Sequence, residues 1–136
     1  MTTERRAKQV IVMRKDLNMR KGKMIAQGAH ASMKVLLDAG TLAEDGSFAL
    51  SPWPALRAWL GDASHPGRFA KICVSVTSEA ELDDVMARAR AAGLPCGLIV
   101  DSGATEFHGV PTKTCCAIGP AWPEDIDPIT GTLPLL

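Results

Sequence analysis

The sequence predicts an α/β fold built on one four-stranded mixed β-sheet covered by α-helices. Three observations carry that expectation: four short apolar runs, several rich in β-branched residues; helix-patterned segments after the first and second of them; and no helix between the last two. Strands separated by helices favour parallel pairing, whereas a pair joined without a helix is not expected to form a parallel crossover. A chain of 136 residues with 46% hydrophobic content fits a single domain over 1–136 with its own core, and argues against overall disorder.

The first strand is expected at Gln9 to Arg14 (QVIVMR), a run apolar on both faces and therefore buried. A polar loop, Lys15 to Gly22, leads into a helix from Lys23 to about Asp38, ended by Ala39-Gly40. Residues 40–68 read as an irregular insert rich in Gly, Pro and Ser. Inside it Pro54 has the character of a first helical residue, opening PALRAWL, and His65-Pro66-Gly67 has that of a turn. Ala70 to Val76 gives the second strand. Ser78 and Glu81 have capping-box spacing at the start of the next helix, whose Leu82, Val85, Met86 and Ala89 recur on one face before Gly93 stops it. Pro95 to Val100 is the third strand, ending at Asp101. Thr114 to Ile118 is the fourth, stopped by Gly119-Pro120, and the tail PEDIDPITG suggests one short helical turn.

No apolar run approaches the roughly 18 residues of a membrane helix, and Val10 to Met13 is too short for a signal-peptide core, so a soluble cytoplasmic protein is expected. Cys73, Cys96, Cys115 and Cys116 form no C-x-x-C pair and no metal spacing with the three histidines, which predicts reduced, buried and inert thiols. No metal site and no cofactor are implied. The zero net charge hides a polarity: residues 1–23 hold eight Lys/Arg against two acids, and residues 24–136 hold seven against thirteen. A basic face for an anionic partner such as nucleic acid follows, or else a solvated N-terminal tail. At 4% aromatics, base stacking cannot be a main theme.

Chemistry concentrates in K-G-K-M-I-A-Q-G-A-H-A-S-M-K. Lys23, Gln27, His30 and Lys34 are spaced to share one stripe of a helix that is otherwise small or apolar. Such a stripe faces water, a partner or a cleft; His30 by itself reads as readily as a hydrogen-bonded structural histidine. Lys21 and Lys23 flank Gly22 at the helix start, where unpaired amides already attract anions. Asp101, at the C-terminal end of an apolar strand, occupies a frequent site position in α/β sheets; the plainer role is to hydrogen-bond the turn at Gly103.

The opening Q-V-I-V-M-R-K-D-L-N-M-R-K-G-K-M-I-A-Q-G-A-H-A resembles that of archaeal and eukaryotic type peptidyl-tRNA hydrolases. So do K-I-C-V-S-V, G-L-P-C-G-L-I-V-D-S-G-A-T, T-C-C-A-I-G-P and I-D-P-I-T-G-T-L-P-L, in the same order over about three quarters of the chain. The resemblance implies the same mixed four-stranded sheet and hydrolysis of the ester between peptide and tRNA, with peptidyl-tRNA as the partner. It places catalytic residues at Lys23, Gln27, Asp101 and Thr105, with Lys21 and His30 beside them. Arg20, Lys21, His30 and Lys34 are expected on the tRNA side. Arg20 stands where the family usually has Gly, Ala104 where it has Arg, and Glu106 to Pro111 (EFHGVP) follows no family pattern. An esterase acting on another acyl-RNA or small acyl substrate, and a non-catalytic RNA- or protein-binding adaptor of the same fold, are the alternatives. A homodimer is among the arrangements the sequence allows.

Overall fold

The computed structural model describes residues 6–104 and 106–136. The elements run β1 (Lys8–Arg14), α1 (Lys21–Ala39), β2 (Gly40–Leu42), β3 (Phe48–Leu50), α2 (Pro54–Leu60), β4 (Lys71–Val76), α3 (Glu79–Ala91), β5 (Cys96–Asp101), β6 (Thr112–Ala121) and α4 (Pro123–Thr130). The main sheet is mixed and four-stranded in the order β4-β1-β6-β5. β1 and β4 pair in parallel, while β6 runs antiparallel to both β1 and β5. The helices between β1 and β4 thus support a parallel pair, and the helix-free β5–β6 connection an antiparallel one, as expected.

Alternation along the central strands builds a core on each side of this sheet. Val10 and Val12 of β1 join Cys116 and Ile118 of β6 under Leu82, Val85 and Met86 of α3 and Ile126 and Ile129 of α4. Ile11 and Met13 turn the other way and, with Cys115 and Ala117, pack beneath Ala31 and Val35 of α1. A satellite cluster seats α2 through Leu56 and Trp59, with Ala7 beside them. Gln9 is fully buried in the sheet: its amide donates to the carbonyls of Ser32 and Gly119, and it accepts from the Ser32 hydroxyl. This ties α1 to β1 and β6 through satisfied polar groups, the condition on which burial of an amide is tolerated.

Local signals act as the sequence suggests at several ends. Pro54 is the first residue of α2. The Ser78 hydroxyl accepts from the Glu81 amide at 3.1 Å, while the Glu81 carboxylate reaches back to the amide of Thr77 at 3.1 Å. Three expectations need correction. The insert at 40–68 contains a small β2–β3 hairpin, too short to show alternation in sequence. Gly119-Pro120 does not end β6: a register irregularity opposite Lys8/Val10 lets the strand pass through a cis Gly-Pro bond to Ala121. Proline lacks an amide to give a ladder, but its carbonyl is used, accepting from the Trp53 indole at 2.9 Å. The tail forms eight residues of helix rather than one turn, with Pro123 at its start.

Among the described residues no helix is long and apolar enough to cross a membrane. All four cysteines are free; Cys115 and Cys116 are buried and Cys73 and Cys96 half-buried. Burial pushes every one of these thiols up, that of Cys115 to about 12, which favours the protonated form.

Candidate active site

α1 crosses the sheet over β5 and β6, which brings its first turns against the C-terminal end of β5. There Lys23 and Asp101, 78 positions apart, meet: Nζ donates to Oδ1 at 2.9 Å. Their side chains are only 15% and 12% exposed, so this ion pair is far better shielded than an ordinary surface pair. The Gln27 amide, one helical turn on, donates to the same Oδ1 at 3.3 Å. Gln27 is itself buried, and its carbonyl oxygen accepts from the Thr114 hydroxyl of β6. The acceptor-only carboxylate of Asp101 requires the amide's NH2 end, and the Thr114 hydroxyl donates to the other. The Cys115 thiol donates to the Gln27 backbone carbonyl at 3.3 Å, adding a second tie from β6 to this turn of α1.

The second carboxylate oxygen of Asp101 accepts the Gly103 amide at 2.9 Å. The contact with the turn and the contact with Lys23 therefore coexist on one carboxylate. Among the described residues Oδ1 has two donors and Oδ2 one, which leaves acceptor capacity at Oδ2 for a water. The Lys23 ammonium, chiefly through its hydrogen bond, holds the Asp101 carboxyl below the usual carboxylate range, with the Gly103 amide and Gln27 acting in the same direction against burial.

Gly103 has φ 82°, and a Cβ there would lie 2.2 Å from the Val110 carbonyl oxygen, so glycine is required. Its own carbonyl accepts from the Gly109 amide at 2.9 Å, and the Val110 amide donates to Phe107 at 2.9 Å. These bonds fold the segment that carries Glu106 and Phe107 back over the site. The Phe107 ring lies under the Lys23 ammonium at 5.7 Å to its centroid, and the Glu106 carboxylate lies 3.7 Å from the Arg20 guanidinium. Arg20 and Glu106 thus meet at the mouth of the site.

Of the expected residues, Lys23, Gln27 and Asp101 come together, and Thr105 lies outside the described residues. Arg20 is 89% exposed at the N-cap of α1, where no side chain caps the helix amides. His30 is exposed and Lys34 half-buried, both on the wall of a groove of about 570 Å³ that continues from Gln27 and Asp101 along β5. The Lys34 ammonium is paired with Asp38 at 3.1 Å. Lys21 is not with them: it borders an apolar groove on the opposite flank of α1, beside Met24, Ile25 and Met33. Sequence reasoning did not single out Thr114, and it marked Glu106 and Phe107 only as part of the divergent Glu106 to Pro111 loop. A Thr opening the apolar run T-C-C-A-I was the only signal for the first.

A half-buried ammonium–carboxylate pair, steadied by an amide and set at the uncapped start of a helix, defines a site suited to hydrolysis of an anionic substrate. Comparison with known proteins makes this specific. The family model described as peptidyl-tRNA hydrolase PTH2 matches residues 7–136. A protein of Methanocaldococcus jannaschii named peptidyl-tRNA hydrolase is 43% identical over 129 residues, covering 95% of this chain and 99% of its own. Proteins with the same name from Metallosphaera sedula and Halobacterium salinarum are 40% and 42% identical, each over at least 94% of this chain and 98% of theirs. The chain belongs to the PTH2 family of peptidyl-tRNA hydrolases.

Proposed function

We propose that this chain hydrolyses peptidyl-tRNA, cleaving the ester between a peptide's last carboxyl and the terminal ribose of tRNA, with Lys23 and Asp101 as the reacting pair. The observation that carries the residue assignment is the shielded 2.9 Å contact between them. A water accepted at Oδ2 of Asp101 would face the ester carbonyl. As its oxygen bonds to the acyl carbon, negative charge grows on the carbonyl oxygen, and the Lys23 ammonium stabilises it in a partly dehydrated setting. The carbon–oxygen bond to the ribose then breaks, and the water's proton ends on that ribose oxygen. A carboxylate held at low pKa is a weak base. Asp101 therefore acts first by orienting water, and takes its proton only as the attack makes that proton acidic. Gln27, locked by Thr114, keeps Asp101 in place. Thr105, a site residue by the family resemblance, would position water or the substrate carbonyl.

Arg20, at the open end of α1 beside the site, would meet the acceptor end of tRNA, with His30 and Lys34 farther along the helix; Lys21, on the opposite flank, would reach only phosphates on that side. Since Lys23, Gln27 and Asp101 come from one chain, a homodimer would not be needed to complete the site. Acting on a product of translation, the enzyme would work in the cytoplasm. The test is release of peptide from N-blocked aminoacyl-tRNA, with free aminoacyl-tRNA as comparison. Turnover of the blocked ester supports the reading, and inertness towards it overturns the reading.

A further inference from the structure

The groove that leads away from Asp101 is lined by Leu98 to Ser102 without a gap, and across from them by Gln27, His30 and Lys34 of α1. Successive side chains of a strand point to opposite faces of its sheet. Leu98 and Ile99 pack against cores on opposite faces of the sheet, so a groove that both of them line runs along the strand's edge. β5 is that edge: it is the last strand of the sheet and, among the described residues, pairs only with β6. Its outward amides and carbonyls are open to another extended chain. The far end of the groove is marked where the Lys34 stem crosses Gly97, so close that a Cβ at Gly97 would lie 3.3 Å from Lys34 Cγ. From that crossing to Asp101 the strand has room for about three to four residues at roughly 3.3 Å each.

We propose that this groove holds the peptide moiety of peptidyl-tRNA as an added β-strand along β5, an inference that rests on the function proposed above. The groove shares Gln27 and Asp101 with the reacting centre, so a chain whose carboxyl end is the ester at Asp101 leads directly into it. Because β5 runs from Cys96 to Asp101, the peptide lies parallel to it, with its N-terminal side towards Lys34. Main-chain pairing takes affinity from groups that every peptide possesses, whatever its side chains. A hydrolase that meets nascent peptides of any sequence needs that kind of recognition. His30 and Lys34, expected from the sequence on the tRNA side, then border the peptide.

The experiment uses tRNA carrying N-acetylated peptides of one to six residues in several sequences, each also N-methylated at single positions. KM should fall by about tenfold, the worth of one or two hydrogen bonds, as the peptide grows to about four residues, and then level off. N-methylation should abolish the gain at alternate positions and spare those between. A second measurement does not depend on turnover: amide hydrogen exchange of Leu98, Ile99 and Val100 in Asp101→Asn with a non-hydrolysable 3′-amide-linked tetrapeptidyl adenosine. Slowed exchange there supports the proposal even if the catalytic assignment fails. KM indifferent to length, N-methyl effects without alternation, or unchanged exchange along β5 would overturn it. So would a Lys34→Ala variant that alters only the salt dependence of tRNA binding, since the groove would then hold the tRNA strand. Protection of β5 by self-association without ligand would make its occupant a second copy and likewise overturn it.

Discussion

The Asp101 carboxylate is the most constrained group in the site, with the Lys23 ammonium and the Gln27 and Gly103 amides all favouring its charged form. Its folded-state pKa is depressed, so its contribution to stability is present above the unfolded value and disappears as pH falls through the folded one. The acid limb of kcat should accordingly lie below the usual carboxylate range. Lys23→Met removes the largest cause of the shift, so the limb of the residual activity should move to higher pH. A pH–rate profile of both proteins checks this, and an unmoved limb would separate the limb from Asp101. Behind this group, Thr114→Val keeps shape but leaves the buried Gln27 carbonyl oxygen without its donor. An orphaned acceptor costs about 1–3 kcal/mol. Denaturant midpoint and kcat should both fall in Thr114→Val, and kcat should recover in Thr114→Ser, where the hydroxyl returns. Lys23, Gln27 and Asp101 were legible because each combines a polar side chain with an apolar element. Thr114 was not, because a lone Thr is common in strands and its partner is 87 positions away.

Elements differed in how openly they announced themselves. β1 and β4 are compact apolar runs, and α1 and α3 carry helical spacing ended by glycine, α3 with a side-chain cap besides; the sequence places all four to within about two residues. The β2–β3 hairpin, at three residues a strand, has no period to detect, and the passage of β6 through Gly119-Pro120 depends on its partner strand. The 103–110 segment was legible only as a departure from pattern; its closure over Lys23 comes from hydrogen bonds made by Gly103, Gly109 and Val110. Its Glu106 sits 21% exposed against the Arg20 guanidinium, competing with any phosphate that Arg20 would meet. Arg20→Ala should raise KM for tRNA substrates more than it lowers kcat and flatten the salt slope by about one phosphate contact. Glu106→Gln should do the reverse, lowering KM by no more than about fivefold, since exposed ion pairs are worth about 0–1 kcal/mol. Steady-state kinetics from low to moderate salt tests both, and a salt slope unchanged in Arg20→Ala would remove that residue from the tRNA face.

At the scale of the whole molecule, the sheet with β6 at its interior and β5 at its edge explains why the site and its groove lie where they do. β6 supplies Thr114 and Cys115 to steady Gln27, while β5 ends in Asp101 and leaves one edge open. That arrangement depends on the core beneath it. Ile118, fully buried on β6 among Val10, Leu82 and Ile126, is the kind of position where truncation to Ala costs about 2–5 kcal/mol. Ile118→Ala should lower the denaturant midpoint at unchanged m-value, with kcat largely retained at temperatures where it stays folded. Strand order was the least legible feature of the fold, because insertion of β6 between β1 and β5 is decided by long-range packing rather than by local pattern. The central claim is that Lys23 and Asp101 act as one unit in ester cleavage. The direct measurement is single-turnover peptide release from N-acetylaminoacyl-tRNA by wild type, Asp101→Asn, Lys23→Met and the double variant, with tRNA binding measured alongside. Each single variant should lose about a hundredfold or more in rate with affinity held, and the double should lose little beyond the worse single, as residues acting together do. Full activity in Asp101→Asn, or losses that multiply in the double variant, would contradict it.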